Sequence, residues 1–299
     1  MQRRDFLAGL VVTPTAPKLT DLLSGMKTAE TGTTPPPVTP VPSKKNFAAW
    51  ECMRWNNGPA NLATCGLRRM PIYYQDAMLD GEEPNFHKID KVIATIKANK
   101  QTFVTLDIER WNPSSVKERE KLIRVVEYIR AHVPSTTKLA LYGIMPKPRY
   151  TDYLKGGERL AYQHRENLLA KPLADKVDWI QPVFHAYSTR RQDWLKYAEV
   201  IMGEARIYGK PVMPWLWPQY HEDSNDVTIR YKPIPGDAFR EQLETAYRLA
   251  DSLCLWGTLQ PNPNGTIGRA TWSPQAPWWT QTKAFLRTHN LGATSTCKA

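Results

Sequence analysis

Short apolar runs alternate with amphipathic segments along most of the chain. The apolar runs are rich in β-favouring residues and predict seven strands, at residues 47–53, 70–74, 102–107, 138–144, 177–184, 211–217 and 252–257. Apolar residues recur at helical spacing between these runs and predict helices at residues 87–99, 115–132, 159–169, 191–208 and 236–250. The alternation predicts an α/β fold in which crossover helices join parallel strands.

Seven strands in strict alternation with helices predict a TIM-like (β/α) barrel, of seven or eight strands, over residues 46–290, followed by a tail at 291–299. In such barrels the chemistry lies at the carboxyl ends of the strands. Candidate site residues at or near those ends are Asp107, Glu109, Tyr142, Tyr150, Gln181, Trp215, Trp217, Tyr220 and Trp256. This convergence predicts one functional site at that end of the barrel.

Asp107 and Glu109 close the third strand and are separated by Ile108. Residues two apart in a strand point to the same face, so both carboxyl groups should project together. Two neighbouring carboxylates do not both ionise freely, and the raised pKa of one of them suits a general acid near neutral pH. Alternatively, Asp107 caps the following helix and Glu109 pairs with Arg110 or a lysine on the surface.

The composition, 41% hydrophobic and 23% charged over 299 residues, is that of a soluble globular protein with a sizeable core. Eleven tryptophans and thirteen tyrosines form a large aromatic content, which suits sugar faces as well as core packing. Trp215 and Trp217 lie on the same side of a strand, where they would either stack on sugars or line the barrel interior.

The net charge of +11 either attracts a polyanion, such as an anionic polysaccharide, or reflects solvated helix faces. No nucleic-acid-binding motif is present, so nucleic acid is not an expected partner. There is no apolar stretch of about 18 residues, so no membrane span is expected either. The sequence does not determine the oligomeric state.

Neither a metal nor a cofactor is expected. The four cysteines have no metal-type spacing, and His185 and His221 have no partner at ligand spacing. Cys254 lies in an apolar run and should be a small core residue. If the chain is exported, a disulfide between Cys52 and Cys65 is one possibility, but the spacing does not establish it.

The N-terminus resembles a twin-arginine export signal. Arg3 and Arg4 precede a polar residue, Phe6-Leu7 and a modestly apolar segment, which assigns residues 1–30 to the signal. Residues 31–45 are rich in Pro and Thr and predict an extended, disordered linker. Together they predict a secreted, periplasmic or cell-envelope protein, the alternative being a cytosolic protein with a basic N-terminus.

The chain resembles the hyaluronidase family of glycoside hydrolases, which are seven-stranded variants of the α/β barrel. The resemblance lies in Leu106-Asp107-Ile108-Glu109-Arg110-Trp111, in Tyr142-Gly143-Ile144-Met145-Pro146 and in Leu253-Cys254-Leu255-Trp256-Gly257. It covers about residues 47–290, with one departure, since Gln181-Pro182 stands where the family has Tyr-Pro.

The resemblance implies acid catalysis assisted by the substrate. Glu109 would protonate the glycosidic oxygen, and Asp107 would hold Glu109 and the acetamido N–H, while the substrate's own acetamido group acts as the nucleophile. Trp256 would form a hydrophobic floor against the acetamido methyl group, and Tyr142 or Tyr150 would donate a phenol to its oxygen. The implied substrate is a polysaccharide that contains N-acetylhexosamine.

Two other readings stay open. A muramidase-type lysozyme barrel also presents Asp-x-Glu at a strand end, although its early Gly-Ile-Asp-type strand is replaced here by Phe47-Ala48-Ala49-Trp50-Glu51. The other is a barrel that has lost catalysis and binds glycans or envelope components, which the Gln181 departure mildly favours.

Overall fold

The structure is a computed structural model that describes residues 44, 46–257, 259–262, 264–294 and 297. The predicted signal at 1–30 and, apart from Lys44, the predicted linker at 31–45 lie outside these residues. Within the described part, no helix is both long enough and apolar enough to span a membrane.

The strands are β1 (Ala48–Glu51), β2 (Leu67–Arg69), β3 (Ile72–Tyr74), β4 (Leu79–Asp80), β5 (Glu83–Pro84), β6 (Phe103–Asp107), β7 (Lys138–Tyr142), β8 (Trp179–Gln181), β9 (Trp215–Leu216), β10 (Ser252–Leu255), β11 (Leu259–Pro261) and β12 (Ile267–Arg269). The α-helices are α1 (Phe86–Ala98), α2 (Val116–His132), α3 (Tyr150–Lys155), α4 (Gly157–Leu169), α5 (Lys171–Ala174), α6 (Arg191–Arg206), α7 (Gly236–Leu249) and α8 (Pro277–Thr288).

Two parallel four-stranded sheets form the centre, in the orders β2-β1-β10-β9 and β3-β6-β7-β8. The segment from β2 to β3 passes from the first sheet to the second. On the other side, parallel bridges join Ile180 to Val212 and Val183 to Trp215, between the segments of β8 and β9. Two antiparallel hairpins, β4-β5 and β11-β12, lie outside these sheets. The α/β class is therefore confirmed.

Several strands are shorter than the apolar runs that predict them, because proline interrupts the ladder. A proline has no N–H to donate, and β8 stops before Pro182 while β9 starts after Pro214. The predicted strand 70–74 begins only after Pro71. The predicted strict alternation of strands and helices is wrong between β1 and β2. A loop with a 3-10 turn at Ala63–Cys65, rather than an α-helix, joins these two strands.

The core lies between the strands and inside the helix layer. Helix α1 buries Ile89, Val92, Ile93 and Ile96, the stripe expected from its 3.6-residue period. One core cluster collects residues from several strand segments: Cys52, Met70, Phe103, Ala140, Tyr142, Val183, Met213, Trp215 and Cys254. Because Phe103 belongs to this cluster and side chains alternate along β6, Thr105 and Asp107 point to the same interior face.

The disulfide of the structure joins Cys65 to Cys297, and Cys52 and Cys254 are buried free thiols. This excludes the Cys52–Cys65 disulfide that the sequence left open. Cys52 follows the carboxyl end of β1, whereas Cys65 precedes β2, whose Leu67 is paired with Ala49. The two cysteines thus lie beyond opposite ends of the neighbouring strands β1 and β2, and this separation is too large for a disulfide. Burial of Cys254 agrees with its expected place in the core.

Candidate active site

Asp107 and Glu109 occupy the carboxyl end of β6 and the first turn beyond it. Asp107 is 9% exposed at the top of the interior, while Glu109 is exposed and lines a cleft of about 970 Å³. Burial first, and then the nearby charges, those of Glu109 and Asp107 among them, raise the pKa of the Tyr142 phenol at the end of the adjacent strand β7. The two acids are therefore neighbours on the same side of the sheet.

Both carboxyl groups hold protons more strongly than usual. Burial, and secondly the charge of Glu109, raise the pKa of Asp107 to about 7. Partial desolvation, and then the charges of Glu222 and Asp223, raise the pKa of Glu109. Because the pKa of Asp107 is raised to about 7, the site retains a proton near neutral pH.

The surface reading of these acids does not match the structure. Arg110 pairs with Glu82 at 2.9 Å between Nη1 and Oε1, rather than with Glu109. Helix α2 begins after Ser115, well beyond Asp107, so Asp107 does not cap it. In the described part of the chain, Asp107 therefore does not cap the following helix, and Glu109 does not pair with Arg110.

The cleft is built by segments that follow the carboxyl ends of β6, β7, β8 and β9. After β8, the residues Val183, His185 and Tyr187 line it at every second position, as one face of an extended segment. The charged residues of its lining are the acids Glu109, Asp152, Asp193, Glu222, Asp223 and Asp226 and the bases Arg149, Lys155, Arg190 and Lys196. Acids therefore outnumber bases in the cleft, although the whole chain is strongly basic.

Trp256, Tyr142 and His185 form an aromatic group beside the acids. The Trp256 ring is half-buried and stacks on His185, with the ring centroids 5.6 Å apart and 16° between the planes. Tyr142 lies 6.5 Å from the Trp256 ring and places its hydroxyl 3.4 Å from Nε2 of His185. The indole N–H of Trp256 donates to the hydroxyl of Tyr74, at the end of β3. This orientation gives the acids an apolar neighbour with fixed ring planes.

Trp217 packs against two members of this aromatic group, Trp256 and His185. It is 1% exposed, meets Trp256 edge to face at 5.0 Å and donates its N–H to Gln219 Oε1 at 2.8 Å. Gly257 makes this packing feasible, because a Cβ built there would lie 2.0 Å from Cδ1 of Trp217. The backbone of Gly257 also has φ +109°, which other residues rarely adopt.

Gln181 and Trp215 lie in the interior and do not line the cleft. Both are fully buried, and Gln181 exchanges hydrogen bonds with the Thr105 hydroxyl, at 3.1 and 3.0 Å. Trp215 packs against Tyr142 with centroids 4.8 Å apart. Their positions on β8 and β9 explain this, since both side chains point into the core between the strands.

Tyr150 and Tyr220 lie on different sides of the β8 loop. Tyr150 opens helix α3, lines the cleft and packs 4.9 Å from the ring of Tyr187. Tyr220 is largely buried and borders a separate small cavity with Ser188 and Arg191. Of the seven expected substrate contacts, Tyr142 and Tyr150 line the cleft, and Trp256 packs against Tyr142 and His185 of that lining.

His185, Tyr187, Glu222 and Asp223 also line the cleft. None of them was among the expected catalytic or substrate-binding residues, although the sequence places the run 181–187 at a strand end and His185 at the rim. The sequence offers His185 no metal-ligating partner at the usual spacing and predicts a polar rim residue. The predicted strand 177–184 ends one residue before His185, so its period-two alternation, continued past Phe184, would have identified His185 as a cleft residue. Among the described residues, no group of three or more His, Cys, Asp or Glu side chains is placed to hold a metal ion.

No family model and no curated protein matches the chain. Among solved structures, bee venom hyaluronidase with a hyaluronic acid tetramer is similar at TM-score 0.48 and 14% identity, over 77% of this chain and 87% of that chain. A GH18 chitinase from Pseudoalteromonas aurantia has TM-score 0.38 and 15% identity, over 67% of each chain. A GH128 endo-β-1,3-glucanase from Amycolatopsis mediterranei has TM-score 0.43 and 11% identity, over 79% of this chain and 90% of that chain. At such TM-scores the likeness does not extend to substrate or mechanism.

Proposed function

We propose that this protein is a glycoside hydrolase that cleaves a polysaccharide containing N-acetylhexosamine. The observation that carries the proposal is the Asp107–Glu109 pair, which retains a proton near neutral pH and lies beside a large aromatic-walled cleft. Sugar hydrolysis requires an acid that is still protonated at the working pH and a surface on which a pyranose ring can stack.

We further infer that the strands close a seven-stranded (β/α) barrel. Its members in order would be β1, the β2-β3 segment, β6, β7, β8, β9 and β10. The pairing of β10 with β1 and the two bridges between the β8 and β9 segments support closure. In such a barrel the site stands at the carboxyl ends of the strands, which is where the cleft lies.

In the proposed mechanism, Glu109 is the general acid, since its carboxyl group is exposed to the cleft. Asp107 lies deeper and holds Glu109 and the substrate's acetamido N–H. Because both acids leave one strand on the same side, they do not flank a glycosidic bond, which favours attack by the substrate's own acetamido oxygen. Trp256 would contact the acetamido methyl group, and the Tyr142 hydroxyl would donate to its oxygen.

The lining of the cleft favours a neutral polymer over an anionic one. Its six carboxyl groups against four basic side chains would repel a strongly acidic chain. We therefore place a neutral, chitin-like polymer ahead of hyaluronan as the substrate. The net charge of +11 is then assigned to the solvated outer faces.

The proposal is tested with Glu109→Gln, which keeps the shape of the side chain and removes its proton. Purified protein is incubated with chitin, peptidoglycan, hyaluronan and chondroitin, and new reducing ends are measured. We expect cleavage of one polymer by the parent and a loss of at least about 100-fold in the variant, the usual contribution of a general acid. Glu82→Gln, outside the cleft, is the matched control and should retain activity. Full turnover by Glu109→Gln would refute the assignment.

The same screen separates the alternatives. Cleavage of peptidoglycan alone would favour a muramidase-type enzyme. Binding without cleavage on every polymer would favour a glycan-binding barrel that has lost catalysis.

We also propose that the protein works outside the cytoplasm, in the secreted, periplasmic or envelope space. The Cys65–Cys297 disulfide supports this location, because such bonds persist in oxidising compartments. Fractionation of cells that produce the tagged full chain, with and without Arg3→Lys and Arg4→Lys, tests both the location and the twin-arginine assignment.

A further inference from the structure

His185 is held in one orientation by the aromatic side chains around it. Its ring is 1% exposed and stacks on Trp256. Trp217 meets it edge to face at 5.4 Å, and His221 lies 5.3 Å away. A ring enclosed in this way keeps each of its nitrogens in a fixed place.

The two ring nitrogens have different surroundings. Nε2 lies 3.4 Å from the hydroxyl oxygen of Tyr142, whereas Nδ1 is buried and has no hydrogen-bond partner in the described part of the chain. Burial, together with nearby His221, lowers the pKa of His185 well below its usual value, so the ring is neutral at pH 7. A neutral imidazole has one N–H donor and one bare acceptor nitrogen.

Two polarities of the contact are compatible with a neutral ring. If Tyr142 donates to Nε2, the proton of the ring is on Nδ1, and a buried N–H is left without an acceptor. If Nε2–H donates to Tyr142, Nδ1 is a bare acceptor without a donor. Orphaned buried N–H groups are rarer than under-satisfied acceptors, so the second polarity is favoured.

The second polarity fixes the direction in which the Tyr142 hydroxyl donates. Its oxygen receives the proton of His185, so its own O–H is free to point elsewhere. Tyr142 and Glu109 both line the cleft. Among the described side chains, His185 alone forms a hydrogen bond with the Tyr142 hydroxyl. A ligand oxygen in the cleft is then the remaining acceptor.

We propose that His185 is a positioning residue that donates from Nε2 to the Tyr142 oxygen and thereby presents the Tyr142 O–H to an acceptor oxygen of the bound sugar. The acceptor fits the carbonyl of an acylamino substituent, because a carbonyl oxygen accepts without needing to donate in return. The role in turnover rests on the proposed glycosidase function, whereas the tautomer of His185 does not.

The tautomer is tested in the free protein at pH 7 by two-bond ¹H–¹⁵N correlation of the ¹⁵N-labelled full chain. The spectrum contains six histidines, and His185→Gln identifies the signals of His185 by their disappearance. We expect a protonated Nε2 and a bare, strongly downfield Nδ1. In Tyr142→Phe, the Nε2 resonance should shift while the other histidines outside the cleft stay in place. A protonated Nδ1 in the parent would overturn the proposal, whether or not any polymer is cleaved.

The role in turnover is tested on the polymer that the parent cleaves. His185→Leu removes the donor and should lower kcat about tenfold, the usual effect of one lost hydrogen bond. His185→Gln carries an amide N–H near the position of Nε2 and should restore most of that loss. In a Tyr142→Phe background, His185→Leu should cause little further loss of kcat. A full additional loss in that background would show a structural effect and overturn the positioning role.

Discussion

Asp107 and Glu109 leave the same strand two residues apart, yet the first is buried at 9% exposure and the second opens to the cleft. The difference assigns them different chemistry. The buried group stays protonated to about neutral pH, and the exposed group is the one that a polymer in the cleft can reach.

The buried carboxyl group should destabilise the fold at alkaline pH. Its pKa is about 7 in the folded chain and 3.8 in the reference state, so the folded state binds the proton more strongly. Stability is therefore lost as pH rises between these values, by at most about 4 kcal/mol. Asp107→Asn, which does not ionise, should raise the free energy of unfolding at pH 8.

Urea denaturation of the parent and of Asp107→Asn at pH 4 and pH 8 checks this prediction. The difference between the two proteins should be small at pH 4, where Asp107 is protonated in the folded chain and only about half ionised in the unfolded one, so that its ionisation contributes less than about 1 kcal/mol. An equal difference at both pH values would show that ionisation is not its cause. Loss of hydrolysis together with a gain in stability would mark Asp107 as a residue kept for function.

The tryptophans at the strand ends should fall into two classes. Trp215 is fully buried, so Trp215→Ala should cost about 3 to 5 kcal/mol of stability. Trp256 is half-buried, and its ring lies beside Tyr142 and His185, so Trp256→Ala should cost less stability but weaken binding of the sugar. Chemical denaturation and isothermal titration with an oligosaccharide of the cleaved polymer measure the two effects. Equal loss of stability in both variants would contradict this division.

Gly257 should tolerate no side chain. Gly257→Ala would bring a Cβ into the Trp217 ring and force a backbone with φ +109° on a residue that avoids it. The expected loss is about 2 to 4 kcal/mol of folding free energy, from strain and overpacking together. Gly265→Ala is the matched control, since Gly265 also has positive φ, at +79°, but has nothing within 4 Å of the added Cβ. Equal melting temperatures for the two variants would show that contact with Trp217 contributes nothing.

The cysteines should separate into one bond and two protected thiols. Protein purified under oxidising conditions should yield a cross-linked peptide containing Cys65 and Cys297, and two titratable thiols after unfolding. Because the bond closes a chain separation of 232 residues, Cys65→Ser should cost roughly 2 to 5 kcal/mol. Four titratable thiols without reductant would contradict the pairing.

Periodicity was sufficient to locate five of the helices and to place the two acids at a strand end. Apolar spacing predicted helix 87–99, which the structure has as Phe86–Ala98, and helix 191–208, which it has as Arg191–Arg206. These elements follow local rules, because one buried face decides each of them. Helix α8 at Pro277–Thr288 was not predicted, although it buries Trp278, Trp279 and Phe285.

Which strand-end residues reach the cleft depends on register, and register is not encoded locally. Gln181 and Trp215 lie within β8 and β9, and their side chains remain in the core. His185 lines the cleft because extended backbone continues past Pro182, beyond the end of β8. Contacts between distant segments decided the rest. The Cys65–Cys297 bond and the approach of Trp217 to Gly257 join parts of the chain whose sequence spacing carries no signal.

Ala48 pairs with Ser252, so β1 begins at the end of the sheet where the parallel strands have their N-termini. The Cys65–Cys297 bond brings the last described residue to the same end, because Cys65 directly precedes β2. Both ends of the folded part therefore lie away from the cleft. Immobilising the protein on a resin through its C-terminal segment should therefore leave the cleft open to a long ligand from solution.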